Sequence, residues 1–537
     1  MIENKISIPK YSRYERELKQ KITKSFNKRI VLISDSHISN AANSLFNRVI
    51  FRKALTEIKK IPNVDYIIHL GDLTDNGTYL EYEIAQDLLR NLDSEKLYII
   101  PGNHDSKNVG YLLFEEIFGK RTFEIDDNDI YILGIDSSMP DQDAGHIGMD
   151  TIRLCENDFG KHQDQIKLFC FHHQTIPIPY TGRERSAIFD GGDVLNMTLK
   201  SDVDLIINGH RHITHAYSCT RGRKDLVIFN CGTLSCNKTR YKEQYTYTIL
   251  DISEDSLKFV TKRLMADDFL IRERRYNNLF STNNIDNSKL CARIIHMGNT
   301  HYSKNHYDIG LNDNAIKLIN SLEPDVIVHT GSLTFSNKEE EYDIAIRELK
   351  KFKYPIFLLP GSRDLRKYGW DLFKTEINDQ KMIMESENFR ILKLNAITRH
   401  ITTGNVGRRK LKETTEFFQT QDDNKINIVA FNHRLIPPPK LKFDEILTDS
   451  GSVINGLTNP ANKVHLVLMG KNNIGFTLQL EDTILSYCGT ISSFDTVELI
   501  KHSFNLIEIY DSGFVQIREF SVETGVSKII GSYWIKR

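Results

Sequence analysis

No stretch of the chain approaches the ~18–20 consecutive apolar residues needed to cross a bilayer, so no transmembrane helix and no membrane partner are expected. An excess of one charge is missing too: 70 basic residues face 71 acidic ones, a formal net charge of −1. That balance gives no global attraction toward nucleic acid or an anionic surface. Cysteine is sparse, at positions 155, 170, 219, 231, 236, 291 and 488. The count is odd and no Cys-x-x-Cys pair occurs, so a disulfide framework is not expected and a reducing compartment is. Met1-Ile-Glu-Asn-Lys opens polar with no apolar stretch behind it, so no secretory signal is expected and the cytoplasm is the expected location.

What is present is ordinary globular composition, 40% apolar and 26% charged, over 537 residues, long enough for two large domains. Residues 1–27 are polar and charged and read as a helical arm. From there short apolar runs alternate with helical stretches such as 51–60 and 79–91. The runs are 29–34, 64–70, 96–100, 130–135, 166–171 and 202–207, buried strands by length and β-branched content. The alternation predicts an α/β domain over 28–275. A polar, Asn-rich stretch ending the domain predicts a linker at 276–290.

After the linker the pattern restarts over 291–537. Asp325-Val-Ile-Val-His-Thr-Gly-Ser-Leu-Thr334 overlays Asp65-Tyr-Ile-Ile-His-Leu-Gly-Asp-Leu-Thr74, and Ala430-Phe-Asn-His-Arg-Leu-Ile-Pro437 overlays Cys170-Phe-His-His-Gln-Thr-Ile-Pro177. Five such echoes occur in order at an offset of about 260 residues, too long for a solenoid period and fitting duplication of a whole domain.

Five blocks of the first half carry chemistry: Asp35-Ser-His37, Gly71-Asp72, Gly102-Asn-His-Asp105, His172-His173 and Gly209-His-Arg-His212. Each follows a strand, where open α/β sheets place their sites. Asp-x-His sets two side chains on one side of an extended loop. Singly, each block has a bland reading as a turn or a hydrogen-bonded pair. Together, Asp35, His37, Asp72, Asn103, His172, His210 and His212 make an oxygen and nitrogen set large enough for two divalent ions. Imidazole favours Mn, Fe, Zn or Co over Ca and Mg. Two ions roughly 3.5–4 Å apart can clamp a phosphoryl group and lower the pKa of a shared water toward ~7, so that hydroxide attacks phosphorus in line.

These blocks resemble those of the calcineurin-like metallophosphoesterase superfamily, and most closely the class III cyclic-nucleotide and glycerophosphodiester phosphodiesterase branch. The resemblance runs from Arg29 to about Asp251. It implies a four-layer α/β/β/α sandwich, here duplicated in tandem, and an enzyme acting on a small phosphodiester. It also implies one ion on Asp35, His37 and His212, another on Asn103, His172 and His210, Asp72 between them as a catalytic bridge, and His104 as the catalytic group beside the phosphate. Asp105 reads as an orienter for a histidine. His69 and His173 read as packing residues. Phosphoprotein phosphatases of the superfamily carry Arg after the second Asp of the Gly-Asp block and end the third block in Glu. Here Asn76 follows Asp75 and the third block ends in Asp105, which points away from that substrate class. Asn76, Arg183 and Arg185 are the candidate substrate-binding residues.

In the second half the ligand positions become Asn299, His301, Ser332, Ser362, Asn432, Lys471 and Asn473, and Arg363 replaces His104. One of seven ligands survives and both metal-binding carboxylates are gone, so this pocket is expected to be metal-free. Its cations suggest a nucleotide or other anion as ligand, against the plainer expectation of a relic that packs. Pairing of the two copies within one chain would predict a monomer. The leading reading is a phosphodiesterase. The alternatives are a nuclease, disfavoured by the neutral charge, and a metal-organised sensor or scaffold.

Overall fold

The structure, a computed structural model, describes residues 27–181, 187–221, 224–240, 243–253, 256–266, 268–275, 288–365, 369–377, 381–397, 403–421, 424–440, 446–471, 473–494 and 502–535. The expected helical arm at 1–27 and most of the expected linker at 276–290 lie outside them; Asn27 already opens a strand, as does Leu290.

The buried strands found in the sequence form, at Asn27–Ile33, Tyr66–His69, Leu97–Ile99, Ile130–Gly134, Ile166–Cys170 and Leu205–Asn208. Asn27–Ile33, Tyr66–His69 and Leu97–Ile99 run parallel as half of a six-stranded sheet. Antiparallel strands Thr246–Ser253, Ser256–Arg263 and Asp268–Arg275 complete it, with Val31 opposite Ile249. An equivalent six-stranded sheet forms from Leu290–Met297, Val326–His329, Ile356–Leu358, Ser503–Tyr510, Phe514–Ser521 and Ser527–Trp534.

The remaining strands of both halves join in one twelve-stranded sheet. The seam is a short antiparallel pairing of His215–Arg221 with Phe476–Leu480, in register Thr220 to Gln479 and Cys219 to Leu480. Ser218 N donates to Glu481 Oε1 at 2.9 Å and Glu481 N returns a bond to Ser218 O at 2.8 Å. Each strand at the seam follows the last ligand block of its own half, so equivalent elements meet across a pseudo-twofold.

Two cores explain the layers. Ile30, Leu32, Ile68, Leu168, Leu205 and Val227 fill the space between the outer sheet and the long sheet in the first half, as Ile294, Val328, Ile391, Ile428, Leu466 and Ile507 do in the second. Helices Arg48–Ile58 and Tyr79–Leu89 cover the outer face of the first six-stranded sheet. On the far face of the long sheet, helices Met149–Lys161, Gly191–Lys200, Arg408–Gln419 and Ser450–Thr458 share a single core that holds Phe159, Leu195, Phe418 and Ile454 together. The architecture is therefore α/β/β/α, twice over, with one layer continuous through both halves.

Candidate metal centre

Each ligand-type block leaves the end of a strand, and the chain turns sharply there. Asp35, His37, Asp72, His210 and His212 take left-handed φ values of 53°, 49°, 54°, 72° and 55°. That conformation is costly for residues with a Cβ and is found where the surroundings enforce it, commonly at functional sites. Two enforcing contacts are Asp35 N to Gly71 O at 3.0 Å and His37 N to Asp72 O at 2.9 Å, which zip the first two loops together. Gly102 permits the third loop to close on them: a Cβ there would sit 2.2 Å from Asp72 Oδ1.

The seven side chains converge. His212 Nε2 lies 3.2 Å from both His37 Nε2 and Asp35 Oδ1. Asp72 Oδ2 lies 3.5 Å from His37 Nε2 and 3.3 Å from His172 Nε2, between two groups. His210 Nδ1 faces Asn103 Oδ1 at 3.0 Å, and His210 clusters with Asp72 and His172. All but His210 are nearly or fully buried.

This donor set fits a pair of metal ions. Two imidazole nitrogens of one ion at about 2.0–2.1 Å each would stand roughly 3 Å apart, as those of His37 and His212 do. Backbone carbonyls fix the rings: His172 Nδ1 donates to Leu70 O and His212 Nδ1 to Lys238 O, each at 2.7 Å, turning both Nε2 atoms inward. Asp35 Oδ1 and His172 Nε2 are buried without a well-formed hydrogen bond, the condition of atoms awaiting a cation. Burial opposes their charge, yet the surrounding histidines hold Asp35 and Asp72 below the usual carboxylate range, so both stay anionic.

Burial also works against the imidazolium of His172 and His212, but Asp72 lifts the first to about 9 and Asp35 lifts the second to about 10. Burial holds His37 and His210 below their ordinary value. In the metal-free chain at pH 7 the first two are therefore protonated and the other two neutral. Loading the site must expel the protons of His172 and His212, about two per chain, so apparent affinity weakens by about a hundredfold per unit of falling pH near neutrality. Manganese titration calorimetry in buffers of different ionisation enthalpy measures that number; no release would contradict these protonation states.

The structure reassigns several neighbours. Among the described residues the Asp105 carboxylate bonds no histidine. It accepts from Leu73 N at 3.0 Å, Thr74 N and Oγ1 at 2.8 Å, and Gly102 N at 2.9 Å, tying the second and third loops. Asn76 directs its amide to Glu81 Oε1 at 3.0 Å and its backbone N–H to Glu81 Oε2 at 2.9 Å, which anchors a helix N-terminus. Arg183 and Arg185 lie outside the described residues. His69 bonds Ser36 Oγ at 2.8 Å, and burial pushes it down to about 3. His173 bonds Ser137 Oγ at 2.9 Å and is likewise pushed down to about 3.

His104 stands beside the cluster, edge-on to His37 with ring centroids 4.4 Å apart. Three further residues have no part in the sequence assignment. Asp75 Oδ1 lies 3.2 Å from both His37 Nδ1 and His104 Nδ1, and their hydrogen bonds hold this carboxyl far below its usual range. Lys107 Nζ lies 2.8 Å from His104 Nδ1. Cys236 groups with His37 and His212. Asp75, three residues past Asp72 in the same turn, carried the one usable sequence signal.

In the second half the turns persist with one of the seven ligands, His301. Asn299, His301, Ser332 and Lys471 keep left-handed φ values of 50°, 49°, 51° and 60°. Asp364 repeats the four bonds of Asp105, to Leu333 N, Thr334 N, Thr334 Oγ1 and Gly361 N. The polar groups now satisfy one another: Asn299 Nδ2 donates to Asn473 Oδ1 at 2.9 Å, and Ser362 N donates to Asn432 Oδ1 at 3.1 Å. Phe335 replaces Asp75, and the Arg363 guanidinium lies 4.4 Å over its ring.

The calcineurin-like phosphoesterase profile matches residues 28–214. A probable glycerophosphodiester phosphodiesterase of Arcobacter nitrofigilis is 33% identical over 159 residues, 28% of this chain and 58% of that protein. This chain thus spans less than two thirds of that relative. A probable cyclic nucleotide phosphodiesterase of Vesicomyosocius okutanii is 27% identical over 229 residues, 41% of this chain and 94% of the other. The glycerophosphodiester phosphodiesterase GpdQ of Enterobacter lignolyticus is 31% identical over 193 residues, 34% of this chain and 69% of the other.

Proposed function

This chain belongs to the calcineurin-like phosphoesterase family, and on that footing we propose that residues 28–275 form a two-metal phosphodiesterase and residues 291–537 a degenerate copy that binds no metal. The observation that carries the reading is the place of Asp72, buried between two histidine groups at 3.5 and 3.3 Å. Asp35, His37 and His212 would hold one ion, Asn103, His172 and His210 the other, and Asp72 both. The mixed imidazole and carboxylate set suits manganese, iron, zinc or cobalt. When bound, such a pair polarises a phosphoryl group and activates water against it.

The protein's own groups do the rest. His104 Nδ1 lies 2.7 Å from Asp75 O and donates to it, which leaves Nε2 to serve substrate. Burial works against its charge, but Asp72 and Asp75 outweigh that and raise its pKa, so the ring can give a proton to the departing alkoxide. That bond to Asp75 fixes the ring's orientation. Asn103 contributes no charge, which keeps the centre attractive to a monoanionic diester. The proposed substrate is a small diester of the cyclic-nucleotide or glycerophosphodiester type.

The seven cysteines are unpaired and no described helix is long and apolar enough to cross a membrane, which supports a cytoplasmic placement. Equivalent strands already pair within the chain, which supports a monomer.

The test is manganese-dependent hydrolysis of bis(p-nitrophenyl) phosphate set against nicking of supercoiled plasmid. Turnover of the small diester with intact plasmid is expected. Plasmid cleavage would make the protein a nuclease, and metal loading without turnover would make it a scaffold.

A further inference from the structure

After the His172-His173 block the chain does not return directly to its own half. Residues 177–181 form a strap that crosses to the second half and lies on the start of helix Ser450–Thr458. The approach is backbone to backbone: a Cβ on Gly451 would stand 2.2 Å from Ile178 O and 2.6 Å from its carbonyl carbon. Tyr180, at a left-handed φ of 66°, accepts from Asn455 Nδ2 through its hydroxyl at 3.3 Å. The pseudo-twofold supplies a twin. Residues 437–440 of the second half lie on helix Gly191–Lys200, where a Cβ on Gly192 would stand 2.2 Å from the Pro438 carbonyl carbon. Lys440 has the matching φ of 64°, and its N–H donates to Asp193 Oδ1 at 3.0 Å.

The first strap is tied to a ligand loop. Ile178 O, the atom pressed against Gly451, accepts from Thr181 Oγ1 at 2.8 Å. Thr181 O in turn accepts from Arg211 at 2.8 Å and from Arg240 at 2.9 Å. Arg211 is 3% exposed and sits between His210 and His212. An unbroken path of packed backbone and hydrogen bonds therefore leads from the second half to two ligand positions of the first.

We infer that the metal-free half is a positioning partner, which through Gly451 and Asn455 holds the strap and thereby the His210–His212 loop in metal-binding geometry. Gly451, Thr181 and Arg211 are positioning residues, none of which touches substrate. The inference rests on the two-metal reading of the first half. It also gives the duplication a use: the second copy can lose its ligands and remain necessary.

The pseudo-twofold provides its own control. Gly451→Ala and Gly192→Ala impose the same steric insult on the two straps, and each replaces glycine in a helix by a better helix former. In the full-length chain, calorimetric titration with Mn²⁺ alone is expected to give a dissociation constant about tenfold weaker for Gly451→Ala, the range found when partners supporting metal ligands are lost. Gly192→Ala is expected to stay within about twofold of wild type, with a similar change in thermal midpoint. Thr181→Val, which keeps the shape but removes the bond to Ile178 O, is expected to weaken Mn²⁺ as Gly451→Ala does, and Thr181→Ser to restore it; these two keep the test open should Gly451→Ala not fold. Equal weakening by both glycine variants, or wild-type affinity in Thr181→Val, would overturn the inference. No Mn²⁺ binding by wild type would instead overturn the two-metal reading beneath it.

Discussion

Asp72→Asn is expected to lower manganese-dependent hydrolysis of bis(p-nitrophenyl) phosphate by about a thousandfold or more, a loss of roughly 4 kcal/mol of transition-state stabilisation at 1.36 kcal/mol per factor of ten. Asparagine keeps the shape and an oxygen that can accept from His104 N, a bond of 2.8 Å in the wild type. It removes the charge. Asp72 and Asp35 are the carboxylates of the seven-residue set, and two dications held close together need anionic ligands to offset their repulsion. Ser332→Ala, at the equivalent position of the second half, is expected to leave turnover within about twofold, because small changes away from a working site cost little. Asp72→Asn with more than a tenth of wild-type turnover at full metal loading would show that the carboxylate does not join two ions.

The second large effect is on stability. Asp105→Ala is expected to cost roughly 3–5 kcal/mol, since three buried backbone N–H groups and a hydroxyl lose their only shared acceptor. Burial, then repulsion from Asp72, pushes the Asp105 carboxyl up to about 6, so it is partly strained as an anion in the metal-free chain. Asp105→Asn should not rescue it: its NH₂ would face donors on Leu73 and Gly102, where the carboxylate now accepts at 3.0 and 2.9 Å. Asp364→Ala is expected to cost a similar amount, because Asp364 makes the same four bonds. Only Asp105→Ala should also lower kcat in the protein that remains folded, since its loops carry Asp72 and Asn103. Denaturant midpoints measured beside activity separate the two. Little destabilisation by either variant would show that these loops are held by something else.

Much of this was legible in the sequence because the features are local. A short β-branched run that stops at polar residues marks a strand end, and five such ends in order place their loops together once the sheet is parallel. The ordered echoes from Asp325 to Pro437 likewise anticipate a second sandwich. What was missed depends on contacts between distant residues. Asp105 looks like a partner for a histidine because it follows one, but three of its four donors, two amides and a hydroxyl of Leu73 and Thr74, lie some 30 residues earlier. Asn76 looks available, and Glu81 takes its amide. The antiparallel strands from Thr246 to Arg263 carry an alternating burial pattern that a period-two search of the sequence would have found. The seam at Cys219 and Leu480 and the strap on Gly451 have no sequence signature, since each exists only where the two halves meet.

The most direct test is the metal content and its location. Full-length protein reconstituted with Mn²⁺ and dialysed, then assayed by inductively coupled plasma mass spectrometry, should hold two ions per chain. Asp72→Asn should reduce that number, and Lys471→Ala together with Ser332→Ala should leave it unchanged. Four ions per chain, none, or a count that falls with the Lys471 and Ser332 substitutions instead would contradict a single dinuclear centre whose ligands all come from the first half.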